Sequence, residues 1–357
     1  MAENQKSKRL PNLLLILISL IFYFLFLIAC NDGKNSDNKA DNHSNLPDGY
    51  QQRFYENMRF GLFVPPSYDP IKSYPLIIRL HGSTDTVSWD LSWYHDPIQT
   101  DDPCFVLSPK TTIPHSGWGT SWDQIYPTPM RITMDVVDSL QKEFNIDTTR
   151  LYIHGTSMGG FGVFNVLAKE PGRFAGAFAI CGGGDPATAN AVKQTPLWIF
   201  HGSDDNIVPV SRSRDMYHAI VAAGGREVRY TEYPDVGHEA WTPAWKEPTI
   251  TSWLLAQQKG AVHSNPELPE NLSGEVTNAD QVQLSWNPPS DQANSNNHVW
   301  YYRIFKDDTA IAELDYIYTT YIDTTVSRST GYGYNISAVN YFFRESGRTA
   351  TVEVNVQ

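Results

Sequence analysis

Five short apolar runs recur along the first two thirds of the chain: PLIIRL (75–80), CFVLSP (104–109), RLYIH (150–154), FAGAFAI (174–180) and PLWIFH (196–201). Each is continuously apolar and rich in Ile, Val, Leu and aromatic residues, as a strand covered on both faces should be. The segments between them keep a different rhythm. In RITMDVVDSLQKEF (131–144), Ile132, Val136, Leu140 and Phe144 recur every four positions and form one helical stripe. Strand alternating with helix from Tyr50 to Ala261 restricts this region to an α/β class with a doubly wound, mostly parallel sheet. In such a sheet functional residues collect at the carboxyl ends of the strands.

The chain has 357 residues, room for a second folded unit. From Ser264 the helical spacing stops. QVQLSW (281–286), VWYYRIF (299–305), TTYIDTT (319–325) and YGYNISAVN (332–340) alternate as short strands separated by turn residues, so residues 264–357 are expected to be all-β. The N-terminus is different again. Lys6, Lys8 and Arg9 precede an apolar stretch from Leu13 to Ala29, which is the composition of an export signal. It closes on Leu27-Ile28-Ala29-Cys30, which resembles the lipobox of bacterial lipoproteins. That resemblance implies removal of residues 1–29, acylation of Cys30, and attachment to a membrane of the cell envelope, outside the cytoplasm. An uncleaved membrane anchor is the alternative. Residues 30–48, mostly Asn, Asp, Gly and Ser, then read as a flexible tether.

A net charge of −12 argues against nucleic acid as a partner. Of the three cysteines only Cys104 and Cys181 lie beyond the leader. Both sit in apolar, strand-like runs and are expected as buried thiols, although one disulfide is possible.

The chemistry-bearing stretch is Gly155-Thr156-Ser157-Met158-Gly159, a G-x-S-x-G pattern after strand RLYIH and before the helix-like MGGFGVFNVLAKE. A sharp strand-to-helix turn would raise Ser157 as a nucleophile. The amides at the helix start would face any negative charge formed there. A serine hydroxyl needs a base, and the base needs an orienting carboxylate. His238 follows the later strand EVRYTEYP, and the pair Asp204-Asp205 follows PLWIFH. The chain order Ser, Asp, His suits such a fold, but spacing alone does not choose between the two aspartates. No metal-ligand spacing, phosphate loop or other cofactor motif appears.

Four blocks, GTSMGGFG (155–162), ICGGGD (180–185), HGSDDNIVPVSRSR (201–214) and VRYTEYPDVGHEAWTPAW (228–245), resemble the α/β-hydrolase esterases. The likeness is greatest to the peptidase/carboxylesterase group related to poly(hydroxybutyrate) depolymerases and feruloyl or acetylxylan esterases. The resemblance implies an H-G-x-x-D-x-x-V-P pattern whose aspartate is Asp205. It also implies an oxyanion hole made by the amides of Met158 and Ser83, with Gly82 as the fallback, while His81 braces its loop. The implied activity is hydrolysis of carboxylic esters, of feruloyl or acetyl type on polysaccharide. A serine peptidase and a non-catalytic surface binding protein are the alternatives. Trp89, Trp93, Trp118, Trp122, Trp241 and Trp245 follow strand ends and are expected to form either loop packing or a rim for sugar or aromatic rings. The catalytic domain is expected over residues 49–262. Residues 264–357 resemble a fibronectin type III domain, through Pro266, Pro269, Trp286 and the strand at Tyr334–Val339. Should that domain bind polysaccharide, Trp300, Tyr301 and Tyr302 are the candidates.

Overall fold

The computed structural model describes residues 48–83, 91–95, 97–113, 117–278, 280–290 and 298–357. Eight strands form the first sheet: β1 (Tyr50–Tyr55), β2 (Met58–Phe63), β3 (Tyr74–Leu80), β4 (Phe105–Pro109), β5 (Ile146–Thr156), β6 (Gly176–Ile180), β7 (Leu197–Gly202) and β8 (Val228–Tyr233). Their order is β1-β2-β4-β3-β5-β6-β7-β8. Strands β3 to β8 run parallel, and β1 and β2 add an antiparallel hairpin against β4. Every residue of β3, β6 and β7 is buried, which is why those runs carry no polar alternation. The hairpin strand β1 lies at the edge and is largely exposed, so its sequence YQQRFY shows no apolar run to detect.

Helices cover both faces of the sheet. On one face α1 (Thr128–Glu143) buries Ile132, Val136 and Leu140. Phe144 lies just past its end and packs on Phe105, with ring centroids 4.9 Å apart. The same face holds α2 (Met158–Lys169), whose residues Val163, Phe164, Val166 and Leu167 are buried, and α3 (Ser211–Ala222), which buries Met216 and Ile220. On the other face α4 (Ile250–Ala256) buries Trp253 and Leu254 against Tyr152, Phe178 and Trp198. The chain therefore folds as an α/β-hydrolase-like layered sheet.

The remaining strands are β9 (Glu270–Asn278), β10 (Gln281–Asn287), β11 (Val299–Lys306), β12 (Thr309–Asp315), β13 (Thr320–Asp323), β14 (Thr330–Asn340) and β15 (Val352–Val356). They pair antiparallel in two sheets, β13-β10-β9 and β12-β11-β14-β15. Val282, Leu284, Trp286, Tyr302, Ile304, Tyr334 and Ile336 fill a core of their own, as in a β-sandwich.

This sandwich is joined to the α/β layer by a continuous apolar contact within the compact unit Pro47–Gln357. Trp300 stacks on Trp253 at 5.3 Å and meets the edge of Trp198 at 4.7 Å. Its Nε1 donates to Thr249 Oγ1 at 3.0 Å. The Arg229 guanidinium lies over the rings of Trp198, Trp300 and Tyr301 and pairs with Asp315 at 3.0 Å. Trp300, Tyr301 and Tyr302 are all buried, which corrects their assignment as a ligand surface. Two of the rings bind the sandwich to the hydrolase layer, and Tyr302 packs inside the sandwich on Trp286.

Candidate active site

Strand β5 ends at Thr156 and α2 begins at Met158, leaving Ser157 alone in the bend with φ 54° and ψ −115°. A side chain rarely adopts a positive φ, so this backbone is strained and is held by its surroundings. Its amide donates to Ile180 O at 2.8 Å. The flanking glycines are sterically required. A Cβ on Gly155 would lie 2.4 Å from the carbonyl carbon of Gly159, and one on Gly159 would lie 2.0 Å from Leu80 O.

Two loops at the same end of the sheet reach the serine. After β7 the chain turns through Asp205, and after β8 it returns through His238. His238 Nδ1 lies 2.7 Å from Asp205 Oδ2, and Nε2 lies 2.9 Å from Ser157 Oγ. A carboxylate only accepts, so Nδ1 carries the proton and Nε2 is left to accept from the serine hydroxyl. Asp205 is buried, while its neighbour Asp204 is exposed and, among the described residues, its carboxylate receives only the Ser203 hydroxyl at 2.9 Å. Asp205 Oδ1 accepts the amides of Ile207 and Val208 at 2.9 and 2.8 Å. Burial by itself would raise this carboxyl, but hydrogen bonds from His201, His238 and Val208 outweigh it and hold Asp205 well below the usual carboxylate range.

His201 is a member of this arrangement that the sequence reading did not single out. Fully buried, it places Nε2 at 3.2 Å from Asp205 Oδ2 and 2.9 Å from Val208 O, with Nδ1 at 2.7 Å from Ser213 Oγ. Both partners of Nε2 are acceptors, so Nε2 donates. The carboxylate is thus held by two imidazoles and two amides. The signal was available in the first position of the H-G-x-x-D pattern, four residues before Asp205.

The loop after β3 also reaches Ser157. A Cβ on Gly82 would be 3.8 Å from Ser157 Cβ, so this backbone passes directly beside the nucleophile. Ser83 follows, partly buried, and Met158 opens α2 in a first turn whose amides have no intrahelical partner. His81 is buried and serves the loop: Nδ1 donates to Gly82 O at 2.7 Å, Nε2 accepts from Thr111 N at 3.1 Å, and its carbonyl receives Trp118 Nε1 at 2.8 Å.

The tryptophans divide. Trp93 and Trp118 are fully buried, the loop-packing alternative and not a rim. Trp93 donates to His154 Nε2 at 3.1 Å; burial first, then Arg79, holds that imidazole well below its ordinary range, so it stays neutral and can accept. Trp245 packs on Trp93 and Phe178. Trp241 stands edge-on to His238 at 5.6 Å, and Trp122 is 40% exposed. Cys104 and Cys181 are buried free thiols. Trp89 and Cys30 lie outside the described residues.

The family model described as "Putative esterase" matches residues 51–265. The chain belongs to this esterase family. It is 28% identical over 183 residues to a bifunctional acetylxylan esterase/xylanase of Neocallimastix patriciarum, a match covering 49% of this chain and 26% of the relative. It is 30% identical over 135 residues to dipeptidyl-peptidase 5 of Porphyromonas gingivalis, covering 35% of this chain and 19% of the peptidase. The chain thus spans about a third or less of the length of the curated relatives it matches. A solved thermostable esterase superimposes with a TM-score of 0.54 at 31% identity, over 59% of this chain and 64% of that structure. The esterase fold and the elbow at Ser157 fall within the matched region.

Proposed function

We propose that this esterase-family chain is a serine hydrolase of carboxylic esters, acting on acetyl or feruloyl groups carried by polysaccharide. The observation that carries the reading is the relay Ser157 Oγ, His238, Asp205, closed by contacts of 2.9 and 2.7 Å. Ser157 attacks the ester carbonyl while His238 Nε2 takes its proton. Asp205, kept ionised, balances the imidazolium and keeps its proton on Nδ1. The oxyanion is assigned to the amides of Met158, at the start of α2, and Ser83, in the loop after β3. His238 then protonates the departing alcohol, and water clears the acyl-enzyme by the same steps. The polysaccharide assignment is supported by the likeness to the acetylxylan esterase/xylanase. Acylation of Cys30 would hold the enzyme on the outer membrane or cell surface, next to polymeric substrate. The match to a dipeptidyl-peptidase supports a second reading, cleavage of peptides.

Parallel assays on p-nitrophenyl acetate, methyl ferulate and a peptide p-nitroanilide separate the two. Turnover of the esters, lost by about 10⁴-fold in a folded Ser157→Ala variant, is expected. Cleavage of the anilide at a kcat/KM above those of both esters would overturn the esterase reading in favour of the peptidase.

A further inference from the structure

We infer that Arg212, held over the Trp122 ring at the rim of the Ser157 site, receives a carboxylate of the substrate, so that the preferred esters lie on or beside an acidic sugar. This rests on the esterase reading above and names the substrate class for the same site.

The placement follows from the fold. Helix α3 starts at Ser211, directly after the loop that carries Asp205, so its first turn stands at the carboxyl end of β7 with Ser157. The stem of Arg212 lies against the loop after β6. A Cβ on Gly183 would come 2.6 Å from Arg212 Cβ and 3.3 Å from Phe161 Cε1. Phe161 is one turn along the helix that Ser157 opens, and its amide donates to Ser157 O at 3.1 Å. The next residue, Ser213, is fixed by His201 Nδ1 at 2.7 Å and by Gly182 O at 3.2 Å. The backbone under Arg212 is thereby tied to the same network that holds Asp205.

Trp122 is delivered from the other side. Its loop is pinned by Ser121 Oγ, which accepts Asp185 N at 2.6 Å, and by Trp118 Nε1 on His81 O. The guanidinium carbon of Arg212 then lies 5.2 Å from the Trp122 ring centroid. A guanidinium held over an indole keeps N–H donors with which to engage an anion.

The charge is uncompensated. Arg212 is exposed and has no carboxylate within ion-pair distance among the described residues, whereas Arg214, two positions on, is held by both oxygens of Glu232 at 2.8 and 2.5 Å. In a chain of net charge −12, an arginine left without an acid at the same end of the sheet as the nucleophile marks a place for an anion from outside. A carboxylate matches the fork of the guanidinium with two charge-assisted hydrogen bonds. On a polysaccharide, the group of that chemistry is a uronate.

The test compares two acetylated oligosaccharides that differ only by one uronate residue next to the esterified sugar. The full enzyme should show a higher kcat/KM on the acidic ester, and the acidic-to-neutral ratio should fall by about 10-fold or more in Arg212→Gln, through KM. Arg212→Lys should retain part of the ratio, and added salt should erode it. Equal kcat/KM on the two esters, or a ratio that Arg212→Gln leaves unchanged, overturns the inference while leaving the esterase reading in place. Hydrolysis of neither ester overturns both.

Discussion

Replacing Trp300 with alanine removes the ring on which the sandwich and the α/β layer meet. The side chain is fully buried against Trp198, Trp253 and Phe343, with centroids at 4.7, 5.3 and 5.2 Å. A large aromatic truncated in such a setting costs about 3–5 kcal/mol. Thr249, itself buried, would also lose the donor to its hydroxyl at 3.0 Å, which adds about 1 kcal/mol. The sum is about 5 kcal/mol, a large share of the roughly 5–15 kcal/mol that holds a typical protein folded. If the unit Pro47–Gln357 melts as one, its entropy of unfolding is about 0.6 kcal/mol/K, so Tm should fall by about 8 °C. Scanning calorimetry reads this directly. Trp286→Ala, buried within the sandwich alone, should lower the same single transition. Two separate transitions, with the one belonging to the α/β layer unmoved by Trp300→Ala, would refute the shared core. They would instead mark residues 49–262 as an independent folding unit.

Further expectations are open to measurement. Asp205→Asn should lower kcat by several orders of magnitude and Asp204→Asn should not approach that loss; the reverse order in kinetic assays would misplace the carboxylate. Because the Asp205 carboxyl is depressed on folding, it adds stability that is present above about pH 4 and lost as pH falls through its lower folded value. The Tm deficit of Asp205→Asn should therefore shrink in strong acid. His201→Gln should lower kcat with KM little changed, and should shift the acid limb of the kcat profile by removing one donor from the carboxylate; an unmoved limb would leave His201 a packing residue only. Burial pushes the Cys104 thiol up to about 12, with the Gln99 hydrogen bond opposing, so iodoacetamide at pH 8 should label neither Cys104 nor Cys181 until the protein unfolds. Cys30→Ser should abolish fatty-acid labelling in cells; equal labelling of both forms would remove the proposed lipid anchor.

What could be read from the chain alone was whatever local order encodes. Continuous apolar runs announced β3, β4, β5, β6 and β7, because a strand covered on both faces needs no polar alternation. The glycines around Ser157 announced a bend, because a Cβ there collides with the neighbouring backbone. Edge strands β1 and β9 carry no such signature, since they are mostly exposed. Between Asp204 and Asp205, identical in chemistry and adjacent in chain, spacing was silent and the family resemblance supplied the choice; only the turn after β7 shows one carboxylate covered at 2.7 Å from His238 and the other facing water. The tryptophans make the same point. Trp93, Trp118 and Trp300 are as apolar in sequence as Trp122, yet three are sealed and one is exposed. Burial is set by which distant segment arrives to cover a side chain. Trp300 is covered by residues some fifty to a hundred positions earlier in the chain, a pairing no local pattern contains.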